Sequence, residues 1–309
     1  MRIAAMAAGA VGAYFGARLA QAGHDVFFIA RGSNLAALKK DGLKIESVHG
    51  DVHLPKVNAT DKPAEVGPVD IVLFAVKLWS TEEAAQATKP LIGPNTRVIT
   101  LQNGVDSYER IAPILGKQHA IPGVTYVFTT ITQPGTIKQS SKVQSIICGT
   151  ADGKPDAQLQ AFADAANKAG ITVTISKNIE VDRWQKFIFL AANSGATALT
   201  RCTTGEVLTD PDRRQLFERI MRGTLAVGRA KGIALDPAYV DERLAYADKN
   251  LVSNMRASMA NDLNNGNRLE LDWLAGTISK LGKELNVPTP VNDTIFAALK
   301  SFRMGGQQA

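Results

Sequence analysis

The chain has 309 residues, of which 45% are hydrophobic and 21% are charged, and its formal net charge at pH 7 is +6. This length is sufficient for two domains with a substantial core. No apolar run reaches the ~20 residues of a membrane helix, and lysine and arginine form no dense block, so neither a membrane nor a nucleic acid is predicted as a partner. The excess of positive charge suits an anionic cofactor and substrate.

The cysteines and histidines do not form a recognisable metal-binding pattern. Cys148 and Cys202 are far apart in the sequence, and neither has a cysteine or histidine partner at metal-ligand spacing. The four histidines (His24, His49, His53 and His119) lie in predicted strands and loops, so none belongs to a helical i, i+4 pair. The sequence therefore predicts no metal site, and a reducing cytoplasm is the simplest location.

The first sixteen residues predict a strand, a glycine turn and a helix. Ile3 to Met6 is a short apolar run, and a helical apolar pattern follows through Phe15 and Leu19. Such a turn at a helix N-terminus is where the pyrophosphate of a dinucleotide binds. The residues predicted to contact it are Ala8, Gly9, Ala10, Val11 and Gly12.

The glycine motif departs from G-x-G-x-x-G because alanine, Ala7, takes the first glycine position. Alanine makes this turn only with a negative φ, so we expect an altered loop. Two other interpretations compete: a strand–helix unit without a ligand, and a secretory signal peptide. Arg18 and Asp25 interrupt the apolar stretch, and a second strand, Val26 to Ile29, follows at once, which disfavours the signal peptide.

Arg31 follows the second predicted strand at its carboxyl end. In dinucleotide folds an acidic residue at this place binds the ribose 2′-hydroxyl of NAD, whereas an arginine accepts the 2′-phosphate of NADP. The acidic residue is missing here. The sequence therefore predicts NADP(H) as the cofactor, although a solvated surface arginine is the alternative.

Two further strands end in polar residues. The apolar run from Val69 to Val76 predicts a central parallel strand, and Lys77 follows it directly. Arg97 to Leu101 predicts the neighbouring strand and delivers Asn103 to the same edge of the sheet. Between them, Ser80-Thr-Glu-Glu83 is typical of a helix capping box.

The remaining pattern predicts a second, helical domain. A strand from Val124 to Thr132, further antiparallel strands to Cys148, a helix and a last strand precede a boundary at Lys177-Asn178. The fold class is therefore α/β, with a Rossmann-like domain over 1–177 and an all-α domain over 178–309, and the active site is expected in the cleft between them. The helices are predicted at 181–198, 212–231, from Asp236-Pro237, and at 255–263, 268–285 and 290–302, the last capped by Thr289.

Several motifs in this order resemble the ketopantoate reductase family (2-dehydropantoate 2-reductases) over nearly the full chain. The resemblance rests on the glycine turn, Arg31, Ala75-Val-Lys77, Leu101-Gln-Asn-Gly-Val105, Trp184-Gln-Lys186, Thr197-Ala-Leu199, Ser258-Met259, Asp262, Glu270 and Val287-Pro-Thr-Pro-Val-Asn-Asp293. It implies reduction of a small 2-keto acid by NADPH, with ketopantoate as the first candidate. It also implies that Lys77 lies near the cofactor and Asn103 near both nicotinamide and substrate.

The same resemblance assigns the catalytic residues to the second domain. Reduction turns the keto oxygen into an alkoxide that must be protonated, and Lys186 is implied as the general acid. Apolar neighbours lower the pKa of a lysine, which favours this role over a helix lysine that only reaches solvent. Glu270 is implied to hydrogen-bond the substrate and the lysine, although it could be a helix-surface charge. Ser258 is implied to contact the substrate carboxylate.

The residues expected to bind the substrate after Lys186 depart from the family pattern. The family places asparagines four and eight residues after the lysine, where this chain has Leu190 and Ser194. Asn193 lies seven residues after Lys186 and therefore returns to the same helix face. We assign Asn193 and Ser194 to the substrate with Asn103, Lys186, Ser258 and Glu270. Because a lost hydrogen bond changes substrate preference, another branched or larger 2-oxo acid is the alternative substrate.

Two other classes of function remain open on the sequence alone. One is a non-catalytic NADP(H)-binding sensor, which would need neither Lys186 nor Glu270. The other is a β-hydroxyacid or opine dehydrogenase, which shares the two-domain layout but not Leu101-Gln-Asn-Gly-Val105. The sequence also leaves open a homodimer formed through the helical domain.

Overall fold

The computed structural model of the chain describes residues 1–250 and 254–306. The chain divides into two compact units, Met1–Ile179 and Glu180–Ala309. The first has a parallel sheet with helices and the second is mostly helical, which confirms the predicted fold class. None of the helices within the described residues has the length and hydropathy needed to cross a bilayer.

A six-stranded parallel sheet organises the first unit. Its strands are β1 (Arg2–Met6), β2 (Asp25–Ile29), β5 (Asn58–Thr60), β6 (Ile71–Phe74), β7 (Arg97–Thr100) and β8 (Ala120–Ile121). Their order across the sheet is β5-β2-β1-β6-β7-β8, with every pairing parallel. All four residues of β6 are buried, as expected for a central strand. The order reverses between β1 and β6, and ligands of open α/β sheets bind at such a switch point.

The first unit contains five α-helices. They are α1 (Ala10–Gln21), α2 (Gly32–Asp41), α3 (Thr81–Thr88), α4 (Ser107–Leu115) and α5 (Ala157–Lys168). The first helix buries Tyr14, Phe15 and Leu19 in the core of the unit. It approaches β2 closely because Gly16 has no side chain: a Cβ there would lie 2.7 Å from Cε1 of Phe28.

Two smaller sheets complete the first unit. The strands are β3 (Leu43–Ser47), β4 (Val52–Leu54), β9 (Gly123–Tyr126), β10 (Thr129–Gln133), β11 (Thr136–Gln139), β12 (Ser145–Cys148) and β13 (Thr172–Ile175). Their orders are β10-β11-β3-β4 and β13-β12-β9. The single strand predicted from Val124 to Thr132 is thus wrong: its halves belong to different sheets. The predicted antiparallel pattern holds only in part, since β11 pairs with β3 and β12 with β13 in parallel.

Seven helices form the described part of the second unit. They are α6 (Ile179–Thr200), which begins at the unit boundary, α7 (Thr204–Thr209), α8 (Pro211–Ala230), α9 (Tyr239–Asn250), α10 (Ser258–Asn264), α11 (Ala275–Glu284) and α12 (Pro290–Leu299). Short 3-10 turns lie at Leu271–Trp273 and Lys300–Phe302. The helix predicted over 268–285 is therefore shorter in the structure, where α11 covers Ala275–Glu284. Glu270 immediately precedes the first of the 3-10 turns.

Three predicted helix starts differ from the structure. Ser80 caps α3 without a side-chain hydrogen bond, because it is the last residue of a 3-10 turn, Leu78–Ser80, and its backbone is not extended. The helix predicted at Pro237 begins at Tyr239, since Asp236 accepts a hydrogen bond from the Ala238 N–H in a turn. Thr289 precedes α12 but makes no capping bond to its backbone; its hydroxyl donates to Asp293 instead.

Candidate active site

The glycine turn lies directly after β1 and before α1. Gly9 is the N-cap of α1, and the first bond within the helix runs from the Ala13 N–H to the Gly9 carbonyl at 2.8 Å. The N–H groups of Ala10, Val11 and Gly12 come before it, where a helix offers donors to an anion. The Met6–Ala7 peptide is cis, and Ala7 does not adopt a positive φ, as alanine requires.

The two glycines of the turn have different surroundings. A Cβ added at Gly12 would lie 2.2 Å from the Ala7 carbonyl oxygen, so only glycine fits between helix and loop. A Cβ at Gly9 would have no described atom within 4 Å, and Gly9 is partly exposed. Gly12 is therefore needed for packing, whereas the space beside Gly9 can accept a phosphate.

Asn34, which belongs to none of the sequence motifs above, holds this loop. Its Nδ2 donates to the Ala8 carbonyl at 2.8 Å, and its Oδ1 accepts from the Gly135 N–H at 3.0 Å. The Ala8 N–H donates to the Ile29 carbonyl at 2.7 Å. The N–H and the carbonyl of the buried Ala8 are therefore both hydrogen-bonded within the protein. The only sequence signal for Asn34 is a polar residue in the first turn of α2.

Arg31 is the N-cap residue of α2, at the carboxyl end of β2. Its Nη1 lies 2.8 Å from Oε1 of Glu83, and the two side chains are 68% and 66% exposed. The guanidinium is therefore at the surface where a 2′-phosphate would bind, but it is paired with a carboxylate from α3. The sequence pattern predicts a capping box for Glu83 and gives no signal for this contact with Arg31.

Lys77 and Asn103 follow two neighbouring parallel strands. Lys77 comes after β6 and is exposed, with its Nζ 5.5 Å from the centre of the Trp79 ring. Asn103 comes after β7 and is half-buried. Between them, Gln102 donates from its Nε2 to the Val76 carbonyl at 3.0 Å and to the Thr81 hydroxyl at 2.9 Å. Gln102 belongs to the motif Leu101-Gln-Asn-Gly-Val105, and its amide fixes the end of β7 to the end of β6.

The residues of the first unit fit a dinucleotide. A helix N-terminus with open space beside Gly9 suits a pyrophosphate, and the cations of Arg31 and Lys77 follow strands β2 and β6 on either side of β1. Each of these groups lies at the carboxyl ends of strands around the switch point. These N–H groups and cations are therefore the donors that an anionic cofactor with two phosphates requires.

One face of α6 stays accessible within the second unit. Most residues of this helix are buried, but Lys186, Phe189, Leu190 and Asn193 are half-buried and recur at i, i+3, i+4 and i+7. They therefore form one stripe along the helix. We call these four residues the α6 stripe. It places the predicted general acid, the apolar Leu190 and the predicted substrate amide on a single surface.

Lys186 interacts electrostatically with Glu270. Burial lowers the pKa of Lys186 to about 8, and the negative charge of Glu270 partly opposes that shift. Glu270 is 5% exposed, so the interpretation as a helix-surface charge is wrong. A buried carboxylate needs a cation or hydrogen-bond donors beside it, which Lys186 supplies. The fold thus brings together two groups that are distant in the sequence.

The other predicted substrate residues differ in accessibility. Asn193 uses its Oδ1 to accept a hydrogen bond from the Thr204 hydroxyl at 2.7 Å. Ser194 is 1% exposed and lies off the α6 stripe; its Oγ has no hydrogen-bond partner among the described residues. Ser258 is exposed at the start of α10. Substrate contact by these three residues stays a prediction.

Comparison with known proteins identifies the family. The family model "Ketopantoate reductase PanE/ApbA" matches residues 3–153, and "Ketopantoate reductase PanE/ApbA C terminal" matches residues 178–303. The 2-dehydropantoate 2-reductase of Archaeoglobus fulgidus is 30% identical over 98% of both chains. A PanE/ApbA family ketopantoate reductase from Ralstonia eutropha JMP134 is 31% identical, with a TM-score of 0.89 over 98% of both chains. D-mandelate dehydrogenase, solved with NADH and anilino(oxo)acetate, shares the fold at a TM-score of 0.90 over 98% of both chains, with 23% identity.

The parallel sheet, the glycine turn and these matches define the protein as an NAD(P)H-dependent oxidoreductase. The chain belongs to the ketopantoate reductase family, which its two halves match in order. This membership sets aside the β-hydroxyacid and opine dehydrogenases and the non-catalytic sensor.

Proposed function

We propose that the protein reduces a 2-keto acid to the 2-hydroxy acid with NADPH, and that ketopantoate is the first candidate substrate. The observation that carries this proposal is the pairing of half-buried Lys186 with buried Glu270 in the second unit. A lysine whose pKa is about 8 can give up a proton near neutral pH. Reduction of a ketone requires such a proton donor.

The two residues have separate roles in this proposal. When bound, the reduced nicotinamide supplies the hydride that the keto carbon receives. The Lys186 ammonium hydrogen-bonds the keto oxygen and protonates it as negative charge develops there. Glu270 keeps a sufficient fraction of Lys186 protonated, because its charge opposes the effect of burial on the pKa.

NADPH is preferred in the proposal because of Arg31. No acidic side chain stands at the carboxyl end of β2, and a guanidinium at that place can make charge-assisted hydrogen bonds to a 2′-phosphate. Lys77 adds a second cation after β6. Gly9 to Gly12 bind the pyrophosphate through main-chain N–H groups.

The identity of the substrate is the finer part of the proposal. Curated relatives of nearly equal length, such as that of Archaeoglobus fulgidus, are named 2-dehydropantoate 2-reductase, which favours ketopantoate. The α6 stripe argues for a second candidate, a branched or larger 2-oxo acid. Leu190 presents an apolar surface where the family has an asparagine, and Asn193 has already used its amide oxygen on Thr204. A homodimer and a cytoplasmic location stay predictions.

The test is to mix the purified protein with NADPH and ketopantoate and to follow nicotinamide absorbance, with NADH as the cofactor control. Rapid oxidation of NADPH and slow oxidation of NADH supports both the substrate and the role of Arg31. Oxidation only with other 2-oxo acids supports the second candidate. If no 2-oxo acid is reduced, the proposed function is wrong.

A further inference from the structure

Arg243 on α9 lies between two aromatic rings. Its guanidinium carbon is 4.8 Å from the centre of the Phe189 ring and 4.7 Å from that of Tyr246. These distances are those of cation–π contacts. Such contacts orient the flat guanidinium without neutralising its positive charge. Phe189 is in turn packed edge-on against Phe217, which holds the ring in place.

The position of Arg243 follows from the way α9 packs on α6. Tyr239 donates its hydroxyl proton to the Gln185 carbonyl at 2.8 Å, and Arg243, one turn later, lies over Phe189. The two contacts on α6 are thus at residues 185 and 189, on either side of Lys186. Because Phe189 belongs to the α6 stripe, Arg243 borders the same accessible surface as the predicted general acid.

The guanidinium of Arg243 has no anionic partner within the described residues. It forms no ion pair or hydrogen bond there, and its Nε is buried without an acceptor. Two arginines of the neighbouring helix α8 do have carboxylate partners: Arg214 pairs with Asp248 at 2.6 Å, and Arg222 pairs with Glu218 at 2.7 Å. An oriented arginine that lacks an internal carboxylate can bind one from a ligand, and bidentate carboxylate recognition is what this side chain does best.

We propose that Arg243 binds a carboxylate of the 2-oxo acid substrate and so determines its preference for acids over neutral ketones. This inference rests on the proposed function, because it takes the substrate to react at Lys186. The bound group is either the carboxylate beside the keto carbon or a second carboxylate at the far end of the substrate. Phe189 and Tyr246 flank the guanidinium that would receive it.

The experiment compares the wild-type enzyme with Arg243→Met, which keeps an unbranched apolar side chain between the rings. Arg229→Met is the matched control, since Arg229 is exposed at the end of α8 in the same unit and has no described partner. KM and kcat are measured with NADPH for a monocarboxylic 2-oxo acid, its 2-oxo amide and a dicarboxylic 2-oxo acid. Thermal melting and NADPH binding establish that each variant is folded.

We expect Arg243→Met to raise KM for the bound carboxylate about 10- to 100-fold, as for loss of a charge-assisted pair, with little change in kcat. If the bound group is the carboxylate beside the keto carbon, the effect appears with both acids and vanishes with the amide. If it is the distal one, the effect appears with the dicarboxylic acid alone. Arg243→Lys should recover part of the loss, because it restores the charge without the planar fork.

Equal changes for acid and amide would show that Arg243 only joins α9 to α6, and unchanged KM values for every acid would equally overturn the inference. Binding of two unreduced analogues of 2-oxo acids, oxamate with one carboxylate and N-oxalylglycine with a second one at its far end, separates this inference from the proposed function. If the wild type reduces nothing but binds either analogue more tightly than Arg243→Met does, the reaction is wrong and the carboxylate site stands. Equal binding of both analogues by the two proteins, or no binding of either by the wild type, overturns the site.

Discussion

Arg31 and Glu83 form an ion pair at 2.8 Å at the place where the 2′-phosphate of NADP is expected. Both side chains are about two-thirds exposed, and exposed ion pairs contribute only about 0.2–1 kcal/mol. A dianionic phosphate can therefore replace the carboxylate as the partner of Arg31. Glu83 remains nearby, however, and its negative charge repels the phosphate.

Replacing Glu83 with glutamine should tighten NADPH binding. The change releases Arg31 and removes a like charge from the phosphate, so we expect the Kd for NADPH to fall about 2- to 5-fold at low salt, in line with the weakness of an exposed pair. The Kd for NADH should not change, since it has no 2′-phosphate. Fluorescence titration of both nucleotides measures this, and an equal shift for the two would contradict the explanation.

Replacing Arg31 with glutamine should weaken NADPH binding. Loss of charge-assisted hydrogen bonds to the phosphate is expected to raise the Kd for NADPH about 10- to 100-fold. NADH binding should stay within about 2-fold, because its ribose hydroxyls do not require a cation. Nucleotide titrations at two salt concentrations provide the measurement. If both cofactors bind as before, Arg31 is a solvated surface residue.

The glycine turn allows a paired test of folding against binding. Gly12→Ala places a methyl group 2.2 Å from the Ala7 carbonyl oxygen and should destabilise the protein by about 1–3 kcal/mol, seen as a lower Tm. Gly9→Ala meets no described atom within 4 Å and has an ordinary φ of −77°, so its Tm should be nearly unchanged. Its methyl group would instead occupy the phosphate space and weaken NADPH binding. Normal NADPH affinity in folded Gly9→Ala protein would place the pyrophosphate elsewhere.

Replacing Lys186 with alanine should remove the proton donor. We expect kcat to fall about 10²- to 10⁴-fold, the usual contribution of a general acid, with the Kd for NADPH unchanged. Lys231→Ala, at the exposed end of α8, is the control for loss of a lysine from this unit. Steady-state kinetics and nucleotide titration of the two variants decide the matter: full turnover without Lys186 would exclude the mechanism.

The rate of reduction should fall as the pH rises through about 8. Only the protonated lysine can act as the acid, and the pKa of Lys186 in the folded protein is about 8, so kcat/KM declines above that pH. Oxidation of the 2-hydroxy acid requires the neutral amine and should rise over the same range.

Replacing Glu270 with glutamine should shift this profile. Glu270 raises the pKa of Lys186 against the larger effect of burial, so its loss lowers that pKa and moves the decline to lower pH. Glu284→Gln, on the exposed side of α11, should leave the profile where it is. If the pH at which kcat/KM declines is unchanged or higher in Glu270→Gln, the charges of Glu270 and Lys186 are not coupled.

Two capping patterns show why local sequence can mislead. Ser80 and Glu83 have the spacing of a capping box but do not form one, because Ser80 ends a 3-10 turn and Glu83 pairs with Arg31. Thr203 and Glu206 have the same spacing and do form one, at the start of α7, a helix the sequence analysis missed. The spacing is the same, so the difference lies in the contacts that each glutamate makes in the folded chain.

Elements with a local signal could be predicted from the amino-acid sequence. The apolar run of β6, the glycine turn before α1 and the helical periodicity of α6 each follow from neighbouring residues, since burial on both faces, close backbone approach and a 3.6-residue repeat leave direct patterns. The contacts between residues that are distant in the sequence are visible only in the folded chain. Folding places Glu270 near Lys186, Glu83 on Arg31 and Arg243 on Phe189, because side-chain pairing between separate elements depends on packing that no local pattern encodes.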